Sequence, residues 1–467
     1  MNAGYASSRI EKMPFRGYIL KIVLLISLGG LFEGYDLFMT AYIVPTLIKG
    51  GIFQLKTSGI FDMNAVASFV AALFAGMFVG AALLGRLPDK YGRKVVFTYA
   101  LLGYSICTFV MAFQTEALWI NFWRFLACIG IGLEVVTIDI YVSELVPSRY
   151  RGRAIALTQT VLFLGLPIVA LLAWLLIPIS FLGLEGWRWV VIIGAIGAVL
   201  IWKIRQSIPE SPIWLERQGE HEKSRAVLAS IESSVFGKKG YAAANKAIPT
   251  HPLDPATSFT DALIAETPST GGWAVIFSPA MRWRVVMMVV VNICITVGYY
   301  GFASWVPTLL TAKGITITKS LEYSVLMALA APLAPALSML VADRFERKYQ
   351  VILTCSLCAL LGIAFSVQSA PAVIILIGFL LTLNNGWMSS SYHTYQAELF
   401  PTQVRAQAVG FVYSWSRFSS IFCGYIVAYL ISRYGTIGVF TFITANMIVI
   451  VVTLLAFGPK TNKTIVA

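Results

Sequence analysis

The 467-residue chain is short of charge: Asp, Glu, Lys and Arg make up only 12% of it, against about 25% in soluble domains. With 58% hydrophobic residues and a mean hydropathy of +0.77, it has too little polar surface to cover a water-soluble globule. The same apolar excess excludes an intrinsically disordered chain. Cysteine is scarce as well, and six in this length make no disulfide framework. Cys107, Cys128, Cys294, Cys355, Cys358 and Cys423 all fall in apolar runs, where a thiol behaves as a small reduced hydrophobe. Cys355 and Cys358 have the spacing of a redox or zinc pair, but no second pair accompanies them, so no metal is assigned. The sequence has no phosphate-binding loop, nucleophile triad or metal-ligand cluster. ATP-driven pumping and membrane enzymology are therefore set aside, and no cofactor is implied.

Long apolar runs, in contrast, are abundant. A helix needs about 20 apolar residues to cross a bilayer. Twelve such runs occur, near 20–42, 64–87, 95–114, 119–142, 153–177, 187–204, 285–310, 321–341, 350–369, 372–396, 406–431 and 436–457. They predict an all-α, multi-pass membrane protein whose termini share one side. Residues 1–21 are polar and the first run carries no cleavage pattern, so no signal peptide is expected.

The net charge of +13 raises the question of a nucleic-acid partner, and its distribution answers it. With the N-terminus inside, 27 of the 35 Lys and Arg residues fall on that side, 6 on the other and 2, Arg124 and Arg417, inside helices. This is the positive-inside asymmetry, which fixes orientation without any nucleic acid. It places both termini in the cytoplasm and the chain in a cell inner (plasma) membrane. Ten of the basic residues lie in the long loop at 203–284. Its segment 211–234 suits a short surface helix, and 238–272, rich in Ala, Thr, Pro and Gly, suits a flexible connector.

Self-comparison reveals a repeat. Tyr141, Glu144, Leu145, Pro147 and Arg151 recur as Tyr395, Glu398, Leu399, Pro401 and Arg405, each 254 positions later. The same offset carries Asp89, Arg93 and Lys94 onto Asp343, Arg347 and Lys348. Two six-helix bundles on one plan are therefore expected, at 1–205 and 285–467, joined by a linker at 206–284. Parallel repeats of this kind hold a small-molecule substrate between them near the midplane and rock about it.

The stretch Gly85-Arg86-Leu87-Pro88-Asp89-Lys90-Tyr91-Gly92-Arg93-Lys94 resembles the signature loop between helices 2 and 3 of the major facilitator superfamily. Pro209-Glu210-Ser211-Pro212-x-Trp214-Leu215 and Tyr141-x-x-Glu144-x-x-Pro147-x-x-x-Arg151-Gly152 are similar to the sugar-porter branch and its organic-ion and aromatic-acid relatives. The paired glutamines of sugar porters in helix 7 and their Pro-Trp pair in helix 10 are missing. Instead, Glu33-Gly34-Tyr35-Asp36 resembles the acidic pair of aromatic-acid/proton symporters, while Tyr299-Tyr300-Gly301 and Ser416-Arg417-Phe418 look like the nicotinate and organic-ion branch. The resemblance implies a monomeric, proton-coupled symporter of a small organic acid, most simply an aromatic carboxylate such as nicotinate or hydroxybenzoate. The alternatives are a sugar or polyol symporter, an exporter of organic cations or drugs, and a ligand sensor without flux. Coupling to Na⁺ stays open.

Ionisable residues inside spans are costly and point to function. At 1.5 Å per residue, Asp36 and Arg124 both lie roughly 7 Å below the outer edge of the bilayer, so they can pair. Proton-coupled relatives place an acid and an arginine in like positions, which implies that Asp36 carries the proton with Arg124 as partner; Glu33 is the alternative proton site and Glu134 a further titrating group. Arg417 lies about 18 Å above Arg405, near the midplane, and there it needs a buried acid or an anionic ligand. Guanidinium binds carboxylate bidentately, and Trp415 and Tyr413 are expected to supply aromatic faces. The resemblance adds Gln159, Asn292, Tyr299, Tyr300, Asn384, Asn385, Trp387 and His393 as cavity-lining candidates. Asp89, Arg93, Glu144 and Arg151, with Asp343, Arg347, Glu398 and Arg405 in the second repeat, are expected to form a cytoplasmic gate, joined near the face by Asp139.

Overall fold

A computed structural model describes residues 5–56, 62–85, 87–205, 208–247, 275–279, 281–342, 345–401 and 404–461. Helix dominates, and the only β pairing among the described residues is two isolated bridges. The first bundle comprises α1 (Tyr18–Lys49), α2 (Val66–Leu83), α3 (Arg93–Met111), α4 (Ala117–Leu145), α5 (Ser148–Leu176) and α6 (Gly186–Arg205). The second begins with α7 (Arg282–Ala303), α8 (Ile317–Ala328, resumed at Leu333–Ala342), α9 (Arg347–Val367) and α10 (Pro371–Glu398). Its last two spans form one run, Arg405–Phe457, that kinks where Gly435 takes φ 62, a conformation that suits glycine. That residue divides α11 (405–434) from α12 (436–457). The result is the twelve-helix, two-bundle architecture that the apolar runs and the repeat predicted.

Three boundaries differ from expectation. The seventh run breaks after Ala303, and a short helix Val306–Ala312 restarts with Pro307 in its first turn, where a missing N–H costs nothing. The eighth breaks before Pro332 for lack of the same donor. In the linker, Pro212–Arg217 and His221–Ala247 are helical, so helix reaches ten residues into the predicted connector; 248–274 lie outside the described residues.

Packing is closest where side chains vanish. A Cβ on Gly34 would sit 2.2 Å from the Leu162 carbonyl oxygen, and one on Gly165 would sit 2.4 Å from the Tyr35 nitrogen. These glycines let α1 and α5 touch backbone to backbone, and α1 passes Gly34 unbroken, carrying Asp36 into the bundle. The outside is apolar: Leu83, Tyr99, Leu360 and Val367 stand exposed where lipid would cover them. The two bundles meet on the side away from the termini. There Gly424 of α11 faces Val70 and Ala67 of α2, and Phe74 packs edge-on against Tyr300 with ring centres 4.6 Å apart.

Candidate functional site

Two buried arginines anchor the interior. Arg124 of α4 is fully buried, and its Nη1 donates to Asp36 Oδ2 at 2.7 Å. Nη2 donates to the Asp36 carbonyl and to Thr40 Oγ1, each at 2.7 Å, because Asp36 and Thr40 share one face of α1. Thr108 reaches the other Asp36 oxygen at 3.4 Å, and the guanidinium lies 5.8 Å from the Phe69 ring centre. The depth match read from the sequence thus corresponds to a direct ion pair. Glu33 and Glu134 are buried on the same two helices.

Arg417 of α11 is handled differently. It is 8% exposed, its Nη1 donates to the Tyr300 hydroxyl at 2.9 Å and its Nη2 to the Tyr413 hydroxyl at 2.6 Å. The same rings lie 5.8 and 5.1 Å from the guanidinium carbon, within cation–π range. No carboxylate lies within ion-pair distance of it among the described residues. Tyr300 is the ring that touches Phe74 of the first bundle, so this cation stands where the bundles meet. A narrow cavity of about 30 Å³ is lined from both bundles, by Phe38, Phe163 and Leu166 on one side and Tyr299, Thr382 and Asn385 on the other; Arg417 does not line it, but Tyr299 packs against its partner Tyr300. The Asn385 Nδ2 is buried without a hydrogen-bond partner.

Several expected cavity residues sit elsewhere. Trp415 does not face Arg417; it packs against Phe418 on the exposed flank of α11, and Tyr300 takes the role expected of it. Asn384 and Trp387 line a separate, largely apolar cavity of about 400 Å³ between α8, α9 and α10. Asn384 donates to the Thr354 carbonyl there. Asn292 is wholly buried and already occupied: it donates to Gln396 and Met288 and accepts from Tyr392 at 2.5 Å. Gln159 is half-buried on α5, one helical turn from Phe163. His393 is exposed, its ring 5.4 Å from that of Tyr413.

On the face that carries the termini, ion pairs brace each bundle from within. Arg93 binds Glu144 through two bonds of 3.0 and 2.9 Å and Asp89 at 2.9 Å. Its repeat equivalent, Arg347, lies 3.4 Å from Glu398. Among the described residues the Asp89 carboxylate accepts no amide of a helix N-terminus. Glu210 does so instead, accepting the Arg93 and Lys94 amides, while burial pushes its carboxyl up against the lowering pull of those amides. Arg151 turns to Glu11 at 3.7 Å rather than to Glu144. Among the described residues Asp139 makes no ion pair with that network, and it is exposed. Asp343 and the Arg405 side chain lie outside the described residues. The sequence reading also missed the helix Tyr5–Ile10, whose Arg9 binds Glu232 at 2.5 and 2.6 Å while Glu216 accepts its first amides. A polar segment with no long apolar run gave little signal for such a clamp.

The comparisons agree with this architecture. Residues 22–465 match the family model described as sugar (and other) transporter. A putative metabolite transport protein of Bacillus subtilis, YyaJ, is 31% identical over 98% of this chain and 96% of its own. The niacin transporter NiaP of Acinetobacter baylyi is 26% identical over 97% of each chain. A partially occluded, inward-open structure of the xylose transporter XylE from E. coli superposes with a TM-score of 0.75 at 20% identity, covering 96% of this chain and 99% of that one. The chain belongs to the sugar (and other) transporter family of the major facilitator superfamily: it is a multi-pass membrane transporter of metabolites and not an enzyme.

Proposed function

We propose that the protein is a proton-coupled symporter of a small aromatic carboxylate such as nicotinate, working by alternating access in a cell inner membrane with both termini cytoplasmic. The observation that carries this reading is Arg417, a buried guanidinium between the bundles, held by two tyrosine hydroxyls and facing no carboxylate of the described chain. An unneutralised charge at that depth is costly, and an anionic substrate removes the cost. The aromatic faces of Tyr299, Tyr300 and Tyr413 favour a flat ring over a bare aliphatic acid. Similarity to a niacin transporter points the same way. Bundles at 1–205 and 285–467, with the linker at 206–284 on the cytoplasmic side, complete the arrangement.

Asp36 and Arg124 supply the coupling. Protonation of Asp36 removes the charge that Arg124 binds and frees α1 to move against α4. A gradient of one pH unit is worth about 1.4 kcal/mol per proton, which sustains roughly tenfold accumulation. Sugar symport is the second reading, favoured by the family model and by the xylose transporter fold. The test is uptake of radiolabelled nicotinate into proteoliposomes, with and without an inside-alkaline gradient and with sodium replaced by choline. Benzoate, 4-hydroxybenzoate, glucose and xylose serve as competitors. Gradient-driven, sodium-independent uptake blocked by the aromatic acids supports the proposal. Absent nicotinate uptake with sugar binding moves the chain to the sugar reading and leaves Arg417 structural.

A further inference from the structure

Asp139 and His393 are 254 positions apart, so they occupy the same place in the two repeats, on α4 and α10. Each stands two residues before a tyrosine, Tyr141 or Tyr395, whose hydroxyl donates to a proline carbonyl, that of Pro209 or Pro459. Counted from the ends of their helices, Leu145 and Glu398, both lie roughly 8 Å in from the face that carries the termini. Both side chains are exposed, although Ile138, Tyr141 and Val142 around one and Tyr392, Tyr395 and Gln396 around the other are buried.

The two converge on one group. The His393 ring lies beside Tyr413, whose hydroxyl accepts from Arg417. The Asp139 carboxylate is within electrostatic reach of the same Tyr413, although α4 and α11 belong to opposite bundles. Neither Asp139 nor His393 makes a hydrogen bond or ion pair among the described residues. A lone carboxylate is tolerable at this depth only while water fills the space between the bundles. Both side chains are open to solvent here, and the bundle contacts at Gly424–Val70 and Phe74–Tyr300 lie on the far side. When the bundles rock to close the near side, that water leaves, and equivalent positions of α4 and α10 approach each other across the interface.

We propose that Asp139 and His393 are the two leaves of the inner gate, meeting in a carboxylate–imidazole contact only when the protein is closed on the face carrying its termini. Tyr413 then links the closed gate to Arg417. The proposal rests on the transport reading but not on the identity of the substrate.

The test needs no substrate. The double variant Asp139→Cys/His393→Cys is oxidised with copper–phenanthroline in proteoliposomes, then cut at a protease site introduced in the 248–274 segment. Val70→Cys/Gly424→Cys is the positive control, since a Cβ on Gly424 would lie 3.2 Å from that of Val70. Fragments that stay joined on a non-reducing gel for both pairs, and separate after dithiothreitol, support the gate. Joined fragments for the control alone overturn it. A second readout guards against a misfolded double variant: labelling of Thr394→Cys by an impermeant maleimide from the terminal face. Adding Asp139→Asn should raise its rate about threefold by favouring the open arrangement, and the exchange Asp139→His/His393→Asp should return it toward the parent value. An unchanged rate in Asp139→Asn overturns the proposal as well. Should nicotinate uptake fail while cross-linking succeeds, the gate stands and only the substrate assignment falls.

Discussion

In the first bundle, Arg124 is fully buried and reaches a carboxylate at 2.7 Å. In the second, Arg417 is nearly as buried but reaches only the hydroxyls of Tyr300 and Tyr413. The repeat explains part of the difference. Counting back 254 positions from Tyr413 gives Gln159, and from Arg417 it gives Phe163, so the first bundle has no counterpart of the tyrosine-held cation. Counting forward from Asp36 and Arg124 gives Val290 and Gly378, so the second bundle has no counterpart of the ion pair. One plan thus holds two specialised halves. The first can store a proton against a fixed cation, and the second offers a cation to a ligand.

Breaking that division at its strongest point gives the largest expected effect. Asp36→Asn should bring the accumulation ratio to about one, from roughly tenfold per pH unit, while substrate exchange at equal pH survives. Counterflow measured beside gradient-driven uptake checks this, and continued accumulation would remove Asp36 from the coupling. Removing one partner of a buried pair also destabilises, by about 3–5 kcal/mol, so the variant needs a folding control. On the ligand side, Arg417→Lys should raise the KM for aromatic acids at least about tenfold, equivalent to about 1.4 kcal/mol, because an ammonium loses the bidentate geometry. An unchanged KM would mean that Arg417 only braces its tyrosines.

The spans, the repeat and the two intramembrane arginines, Arg124 and Arg417, were legible in the sequence because each rests on one-dimensional quantities: run length, offset and depth along a helix. Which way a helix faces was not. Trp415, Asn384 and Trp387 lie on helices whose lipid side and core side are both apolar, so no polar stripe marks their rotation. Asn292 reads as a pocket residue until its partners Gln396 and Tyr392, about a hundred positions away, are brought beside it. Glu210 belongs to the motif after helix 6, yet its role in accepting two amides of α3 depends on a tertiary contact that spacing does not encode.

The bundles also differ in how closely they pack. Gly165 of α5 has Ser419 as its repeat equivalent, and Ser419 sits 3.2 Å from the Thr296 hydroxyl. Gly165→Ser should therefore cost about 3 kcal/mol, since its Cβ would fall 2.4 Å from a backbone nitrogen. The reverse change, Ser419→Gly, should cost only about 1 kcal/mol through lost helix propensity and one hydroxyl contact. Thermal unfolding in detergent separates the two, and equal losses would show that the α1–α5 contact yields more readily than its backbone distances suggest.

The smallest expected effect tests whether the repeat fixes physical requirements or the residues that meet them. Arg188 at the start of α6 donates to the carbonyls of Ala112 and Gln114, which end α3. Lys313, between α7 and α8, donates to those of Ser366 and Gln368, which end α9, each at 2.7 Å. The two pairs of carbonyls are 254 positions apart, but the two cations are not. A helix C-terminus leaves carbonyls unsatisfied and carries partial negative charge, so either cation answers the same need from a different element. Arg188→Gln and Lys313→Gln should each lower stability by about 1 kcal/mol and add when combined, since they serve opposite bundles. A combined loss well above the sum would mean that the bundles unfold as one coupled unit, and that their resemblance conceals a dependence of each on the other.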